Sequence, residues 1–315
     1  MLIEINEAAE FLKANDNYLI IAHQNPDGDT LGSAFSLCHV LRGLGKKANV
    51  ACEEGFPQRY IHMWDGYSDM DLVCENVVAV DIADIGLLGK KYAHLAGDVK
   101  LCIDHHISNT DYAQRTLLDS GASAASEVLY EVYMAMGVTL DKHAAECVYT
   151  GIATDTGCFR YGNTTERCHE IAAELFKAGA DFLMINRRMF EIKSRARISA
   201  EGLVMRNMEF YFDGKCSVIC LTKQIMDEFH TSENEFDGLA SLTVQPEGVL
   251  IGITIKERGE NLYKLSLRSA SSIDVSALCS RMGGGGHRAA AGCTLTGTLE
   301  EVKKQILAVI GEAVG

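Results

Sequence analysis

Carboxylates and histidines occur at four separate places in the sequence, in spacings that suit metal binding. The four sets are His23-Gln24-Asn25-Pro26-Asp27-Gly28-Asp29, Asp81, Asp104-His105-His106 and Asp155. Carboxylate oxygens and neutral imidazole nitrogens are ligands that suit Mn²⁺, Mg²⁺ and similar divalent ions. His23 and Asp27 can chelate an ion from one tight loop, because Pro26 and Gly28 turn the chain. Asp29 follows two residues later and is available to a second ion.

A pair of ions needs a shared ligand. Two-metal sites hold their ions about 3.5–4 Å apart, and a single carboxylate such as Asp81 can bridge that distance. The four aspartates Asp27, Asp29, Asp81 and Asp155 neutralise two dications, whereas without metal they repel one another. These residues predict a site for two divalent ions, with Mn²⁺ favoured and Mg²⁺ or Co²⁺ as alternatives.

The elements that carry these residues have the pattern of an α/β domain. Strands are predicted at 18–23, 48–52, 76–84 and 100–106, and helices at 30–43, 122–136, 142–153 and 164–178. Such interleaving predicts a mostly parallel sheet. Ligands of open parallel sheets bind outside the carboxyl ends of the strands, so the four sets are expected to converge on one crevice.

Each set also has an explanation that involves no metal. The segment Asn25–Asp29 has a common turn composition. Asp81 could cap a following helix, Asp104 could cap or hydrogen-bond a loop, and a single histidine is more often structural than a ligand. If the four sets were unrelated turns, nothing would require them to occur together in one α/β pattern. Their co-occurrence therefore favours the metal site.

With these positions in place, the sequence resembles the DHH phosphoesterases. The resemblance rests on His23-x-x-x-Asp27-x-Asp29, Asp81, Asp104-His105-His106 and Asp155. The second half resembles the DHH-associated domain through Ser266-Leu267-Arg268-Ser269 and the run from Gly283 to Arg288. In length, domain content and the segment 155–165, the chain is similar to the NrnA-like group of nano-RNases and pAp phosphatases.

The resemblance implies a role for each residue of the first half. It implies that one ion is held by His23, Asp27 and Asp81, and the other by Asp29, Asp81, His105 and Asp155. It implies two catalytic residues, His106 facing the scissile phosphate and Asp104 orienting the histidine pair. Cys158 departs from the pattern, because relatives often carry Arg there, and Arg160 lies nearby.

The second half supplies the candidate substrate-binding residues, which are Arg268, Gly284, Gly285, Gly286, His287 and Arg288. Glycines let backbone N–H groups approach a phosphate, and a guanidinium can bind one bidentately. The glycine run could instead be a flexible loop or a tight packing point, and Arg268 a surface ion pair. The run Ala289–Gly292 is predicted to start either a helix or a buried strand.

Charge and composition limit the partners. The net charge is −14, which disfavours a long nucleic-acid footprint. The stretch Lys256–Arg288 is an exception, with six basic and three acidic residues. No apolar run approaches the ~18 residues of a membrane span, and no signal peptide is recognised. Eleven scattered cysteines without a CxxC pair favour the cytoplasm. The predicted partners are short RNA or a small nucleotide, and a homodimer is left open.

These features predict an α/β protein with three parts. They are a mostly parallel catalytic domain over 1–190, a helical connector over 191–212, and a smaller α+β domain over 213–315, which would bind substrate. Strands are predicted at 216–221, 248–257 and 262–269, and a closing helix at 298–312.

The predicted activity is hydrolysis of short oligoribonucleotides, of 3'-phosphoadenosine 5'-phosphate (pAp), or of both, by a two-metal phosphoesterase. Alternatives are a phosphodiesterase for linear or cyclic dinucleotides (pApA, pGpG, c-di-AMP) and a RecJ-like single-strand exonuclease. A non-catalytic nucleotide-binding protein is the alternative from another class. The complete ligand set argues against it.

Overall fold

The chain divides into two compact units, Met1–Ile192 and Lys193–Gly315. The computed structural model describes residues 1–236 and 238–314, and for residues 233, 234 and 287 only the backbone. The main helix of the predicted connector, Arg195–Arg206, belongs to the second unit.

The first unit, which is described without gaps, is built on five parallel strands. They are β1 (Tyr18–Ile21), β2 (Ala48–Ala51), β3 (Asn76–Val80), β4 (Val99–Asp104) and β5 (Thr116–Leu118). The strands are short and almost wholly apolar, as expected for a sheet covered on both faces. This confirms the predicted parallel α/β domain, although the three-residue strand β5 was not predicted.

Helices pack on this sheet with their apolar faces inward. They are α1 (Ile5–Ala14), α2 (Gly28–Gly43), α3 (Ile61–Trp64), α4 (Ala125–Met136), α5 (Lys142–Asp155), α6 (Glu166–Lys177) and α7 (Phe182–Asn186). The principal core joins Ile20 and Val78 of the sheet to Leu37 of α2, Leu129 of α4 and Ile152 of α5, all of them fully buried. The four long predicted helices are all present, with their ends shifted by at most three residues.

The strand order of this sheet is β2-β1-β3-β4-β5. The chain therefore runs from β1 to one side, returns to pair β3 on the other side of β1, and continues outward from there. Ligands of open α/β sheets bind at the carboxyl ends of the strands on either side of such a reversal. The residues that follow β1, β3 and β4 are those of the predicted metal site.

The second unit contains a mixed sheet with the order β10-β11-β9-β8-β7-β6 among its described residues. The strands are β6 (Glu209–Tyr211), β7 (Cys216–Leu221), β8 (Ile251–Gly259), β9 (Leu262–Ser269), β10 (Gly285–His287) and β11 (Ala290–Thr296). The helices are α8 (Arg195–Arg206), α9 (Lys223–Glu228), α10 (Leu239–Leu242), α11 (Val275–Ser280) and α12 (Leu299–Val314). This arrangement confirms the predicted α+β character.

The glycine run is more regular than a loop. Gly285–His287 forms β10, which pairs antiparallel with β11. The alanine run that follows enters β11, so the strand interpretation was correct and the helix interpretation was wrong. None of the helices in the described part of the chain is long and apolar enough to cross a membrane.

Candidate metal centre

The loop after β1 brings His23 and Asp27 together. Asp27 caps α2, because its Oδ1 accepts the backbone N–H groups of Asp29 and Thr30 at 3.1 Å each. The Nε2 atom of His23 lies 3.6 Å from that same oxygen. Thr30 fixes the start of the loop, since its hydroxyl accepts the N–H of His23 and donates to the carbonyl of Val80 in β3. Asp27 is therefore both a helix cap and a neighbour of His23.

Asp29 is fully buried in the first turn of α2. Its two oxygens accept backbone N–H groups at the start of α4, from Ala125 at 2.6 Å and from Ser126 at 2.9 Å. The positive end of α4 stabilises a carboxylate at this position. Asp29 is thus held rigidly, with one of its oxygens 3.8 Å from Nε2 of His105.

Asp81 lies between His23 and His105. Its Oδ2 is 3.7 Å from Nε2 of His23, and its Oδ1 is 3.7 Å from Nε2 of His105. No helix begins at Asp81; the cap of the short helical turn that follows is Asp84. The backbone of Asp81 is left-handed, with φ of 59°, a conformation that costs free energy in a non-glycine residue. In this conformation, one carboxylate oxygen of Asp81 faces His23 and the other faces His105.

Asp104 orients both histidines that follow it. Its Oδ1 accepts the N–H of His105 at 2.8 Å and the Nδ1–H of His106 at 2.8 Å. Its Oδ2 accepts the side-chain amide of Asn109 at 2.6 Å. The Nδ1 of His105 lies 3.2 Å from the carbonyl of Ala122, which leaves Nε2 as the lone-pair atom facing the carboxylates.

Asp155 is the last residue of α5, which extends two residues beyond its predicted end. Its Oδ2 lies 3.3 Å from Nε2 of His105. The side-chain amide of Asn163 donates to the carbonyl of Asp155 and holds the turn that follows the helix. Asp155 therefore completes a group with Asp29 and His105.

Two glycines let α2 and α5 approach closely enough to form this group. A Cβ atom at Gly151 would lie 2.0 Å from the hydroxyl of Ser126 and 2.7 Å from Oδ1 of Asp29. A Cβ atom at Gly28 would lie 2.3 Å from the hydroxyl of Thr154. A larger residue at Gly151 would displace Ser126 or Asp29, and a larger residue at Gly28 would displace Thr154.

The crowded carboxylates perturb one another and the imidazoles. Burial, together with the charges of Asp29 and Asp27, raises the pKa of Asp81 well above its usual range. Burial and repulsion from the same two groups raise the pKa of Asp155 to about 6. Burial lowers the pKa of His105, but Asp155 and Asp29 outweigh it and raise that pKa to about 9. The site therefore carries more negative charge than the protein's own cationic groups neutralise.

The donor atoms fit a pair of divalent cations. Three groups offer ligand atoms within 4.8 Å of one another, namely His23 with Asp27 and Asp81, Asp29 with His105 and Asp155, and Asp81 with His105 and His106. Among the described residues, Oδ1 of Asp81 and Nε2 of His105 are buried without a hydrogen-bond partner. Buried polar atoms seldom go unpaired, and a cation with bonds of about 2.0–2.2 Å would satisfy both.

Sequence reasoning missed the residues that position these ligands, notably Thr30, Asn109, Ser126, Gly151 and Asn163. Each is of a type that is common in turns and helices, and the roles of Thr30, Ser126 and Gly151 depend on contacts distant in the chain. Only Asn109 had a local signal, because it follows Asp104 by five residues and closes the loop back onto it.

The predicted substrate-binding residues all lie in the second unit. Arg268 in β9 is paired with Gly252 and Ala290, and its Nη1 donates to the carbonyl of Leu267. Arg288 donates to the carbonyl of Ser272 at 3.0 Å. A Cβ atom at Gly284 would lie 2.2 Å from the carbonyl oxygen of Gly292, so this glycine is required for packing. The side chain of His287 lies outside the described residues.

Comparison with known families agrees with this geometry. A model of the DHH family N-terminal domain matches residues 17–152, and a model of the DHHA1 domain matches residues 218–315. The chain carries a DHH domain followed by a DHHA1 domain. DHH phosphoesterases use divalent metals, and this DHH protein is a metal-dependent phosphoesterase, that is, a hydrolase.

Similar proteins refine the comparison. The DHH protein is 29% identical to the bifunctional oligoribonuclease and PAP phosphatase NrnA of Thermus thermophilus, over 96% of this chain and 92% of the relative. It is 23% identical to the cyclic-di-AMP phosphodiesterase GdpP of Geobacillus thermodenitrificans, of which it spans 47%. The crystal structure of an exopolyphosphatase-related protein from Bacteroides fragilis matches with a TM-score of 0.87 at 26% identity, covering 98% of this chain and 95% of the other.

Proposed function

We propose that this DHH protein hydrolyses short oligoribonucleotides and pAp. The proposal is carried by two donor groups, His23 with Asp27 and Asp81 and Asp29 with His105 and Asp155, which approach each other where Oδ1 of Asp81 lies 3.7 Å from Nε2 of His105. The chain also matches an oligoribonuclease and PAP phosphatase over nearly its whole length. The more distant cyclic-di-AMP phosphodiesterase relative gives weaker support for that activity in this chain, because the chain spans only 47% of the relative's length.

In this proposal, two cations occupy the donor groups. His23, Asp27 and Asp81 hold one, and Asp29, Asp81, His105 and Asp155 hold the other. Mn²⁺ is the favoured ion, because it accepts imidazole together with carboxylate ligands. When bound, such a pair supplies Lewis-acid activation of water and of the phosphoryl group.

The remaining residues of the site position and stabilise the substrate. His106 uses its Nδ1–H in the bond to Asp104, so its remaining ring nitrogen, Nε2, donates to a phosphoryl oxygen in the imidazolium form. A donor at this place stabilises the charge that accumulates on the oxygen in the transition state. Asp104 keeps the tautomer and the ring plane, and its own pKa is lowered, against the effect of burial, by its bonds to His106 and Asn109.

Substrate length follows from charge. A net charge of −14 repels a long polyanion, whereas the basic stretch that contains Arg268 and Arg288 can hold one end of a short one. Gly285 and Gly286 follow the packed Gly284. Because they lack side chains, a phosphate can approach their backbone N–H groups at this end of the sheet. Arg268→Ala and His287→Ala should raise KM for short oligonucleotides more than for a small generic phosphodiester.

A substrate panel tests the proposal. The Mn²⁺-loaded protein is given pAp, pApA, a five-nucleotide RNA, c-di-AMP and pyrophosphate, with a chelator control. The proposal requires that pAp or the short RNAs have the highest kcat/KM and that the chelator abolishes turnover. A preference for c-di-AMP, or activity that survives the chelator, contradicts it.

We also propose a cytoplasmic location and keep the homodimer as a prediction. The location is supported by all eleven cysteines being free thiols, which is typical of a reducing compartment. Cell fractionation tests the location, and light scattering of the full chain tests the oligomeric state.

A further inference from the structure

The chain leaves the metal site through an unusual turn. Asp155 is the last residue of α5, and the helix ends in a common way, with the N–H of Cys158 bonded to the carbonyl of Ala153 at 2.7 Å. Such an end requires one left-handed residue, and Gly157, with φ of 57°, supplies it. Cys158 and Phe159 are left-handed as well, with φ of 59° and 61°. This backbone costs free energy in residues that carry a Cβ atom, and ending the helix does not explain it.

Electrostatics oppose the position of Asp155. A carboxylate at the C-terminus of a helix meets the negative end of the helix dipole. A ligand oxygen of Asp155 also lies within 4.8 Å of one on the fully buried Asp29. The side chain of Asp155 is 28% exposed, so water is within its reach. Because both effects push this carboxylate out of the site, the segment that follows α5 has to hold the end of the helix in place.

The ring of Phe159 ties this segment to two helices. It stacks on the imidazole of His169 in α6, with ring centroids 4.9 Å apart and planes inclined by 24°. It also lies 6.1 Å from the ring of Tyr149 in α5 and packs against the principal core of the first unit. The backbone N–H of Phe159 donates to the hydroxyl of the fully buried Thr156 at 3.0 Å. The left-handed turn is therefore fixed by contacts of its last residue.

We propose that Phe159 is a positioning residue for the metal site, which holds the left-handed turn and through it the carboxylate of Asp155. The proposal rests on the metal assignment made above, in which Asp29, His105 and Asp155 share an ion, and not on the identity of the substrate. Without the ring, the turn relaxes to ordinary backbone angles and the end of α5 moves with it. The ion at this group is then bound more weakly, whereas the other ion is not affected.

Calorimetric titration of the metal-free protein with Mn²⁺ tests this role without an activity assay. Phe159→Ala should lower the affinity for one of the two ions by about tenfold, as is typical when a residue that orients a metal ligand is lost. Phe159→Tyr keeps the stacked ring and should retain wild-type affinity. The matched control is Phe176→Ala, because Phe176 of α6 also lies beside Tyr149, at 5.3 Å, but packs on Phe182 of α7. The control should bind both ions as the wild type does.

Several outcomes would overturn the proposal. They are wild-type affinity for both ions in Phe159→Ala, equal weakening of both ions, and the same loss in Phe176→Ala. If Phe159→Ala does not fold, Phe159→Leu, which keeps apolar volume without a ring, is titrated with the same expectation. A wild-type protein that binds no Mn²⁺ refutes the metal assignment and this role together. If one ion is weakened as expected but no nucleotide is hydrolysed, the proposed substrates are wrong and the role of Phe159 stands.

Discussion

The Nδ1 atom of His106 lies 2.8 Å from Oδ1 of Asp104, a carboxylate without solvent exposure. The opposite oxygen of Asp104 is held by Asn109 at 2.6 Å, so the carboxylate plane cannot rotate freely. The backbone N–H of the neighbouring His105 donates to the same Oδ1, which couples the two rings to one buried group. We propose that the adjacent histidines have different roles, His105 as a metal ligand among the carboxylates and His106 as a contact to the substrate.

This division predicts different outcomes for the two alanine variants. His106→Ala should keep its metal and lose turnover by about 10²–10³, the usual cost of removing a group that stabilises transition-state charge. His105→Ala should instead lose metal, because its Nε2 faces Asp29, Asp81 and Asp155. Metal analysis and kcat of both variants are compared with wild type. Undiminished turnover of His106→Ala removes it from the mechanism.

Asp81→Asn should lose at least one ion. The amide oxygen can still approach one histidine group, but the amide nitrogen cannot serve as a ligand toward the other. Equilibrium dialysis followed by elemental analysis counts the ions per chain. Asp84→Asn is a suitable control, because Asp84 follows on the same loop and caps a turn without lying in a donor group. Retention of both ions by Asp81→Asn excludes it as the bridge.

Gly151→Ala should disrupt the metal site by displacing Asp29. The added methyl group overlaps Ser126 and reaches 2.7 Å from Oδ1 of Asp29, so this ligand must shift. A displacement on the ångström scale can cost about 10²-fold in rate. The control is Gly43→Ala at the other end of α2, where a Cβ atom meets nothing within 4 Å. We expect wild-type metal content and activity for the control only, and equal behaviour of the two variants contradicts this packing argument.

The metal-free protein should lose stability as pH rises from about 6.5 to about 9. The pKa of His105 is raised to about 9 in the folded chain, above its ordinary value of 6.5, and that of His23 is raised as well. Their stabilising contribution is therefore complete below the ordinary pKa and is lost as pH passes through the folded pKa. Melting temperatures across this range in EDTA measure the effect. It should be weaker in His105→Ala, and a flat or rising wild-type profile contradicts it.

Much of the first unit could be predicted from the sequence, because its signals are local. Apolar runs such as Tyr18–Ile21 directly predict secondary-structure elements, and each set of candidate metal ligands follows one of these runs. Asp29 and Asp155 were predicted to belong together by resemblance, but the reason they meet is not local. It lies in the absence of a side chain at Gly151 and in the amides of α4, which are contacts across about a hundred residues.

Other features depend on geometry that residue types do not reveal. The left-handed backbone of Asp81 has no sequence signal, since aspartate usually adopts ordinary backbone angles. Strand β10 consists largely of glycine, which has low strand propensity, so only its pairing with β11 makes it a strand. The register that sets Lys256 opposite Lys264 likewise emerges only once β8 and β9 are paired.

We propose that this site, filled with two metal ions, acts on short nucleotides. The decisive measurement is kcat/KM of the Mn²⁺-loaded protein on a dinucleotide and on a 24-mer RNA of the same sequence type. The net charge of −14 predicts sharply lower kcat/KM on the 24-mer, together with turnover of the dinucleotide that requires metal. Degradation of the 24-mer as fast as the dinucleotide, or faster, would contradict the preference for short nucleotides and identify a single-strand exonuclease instead.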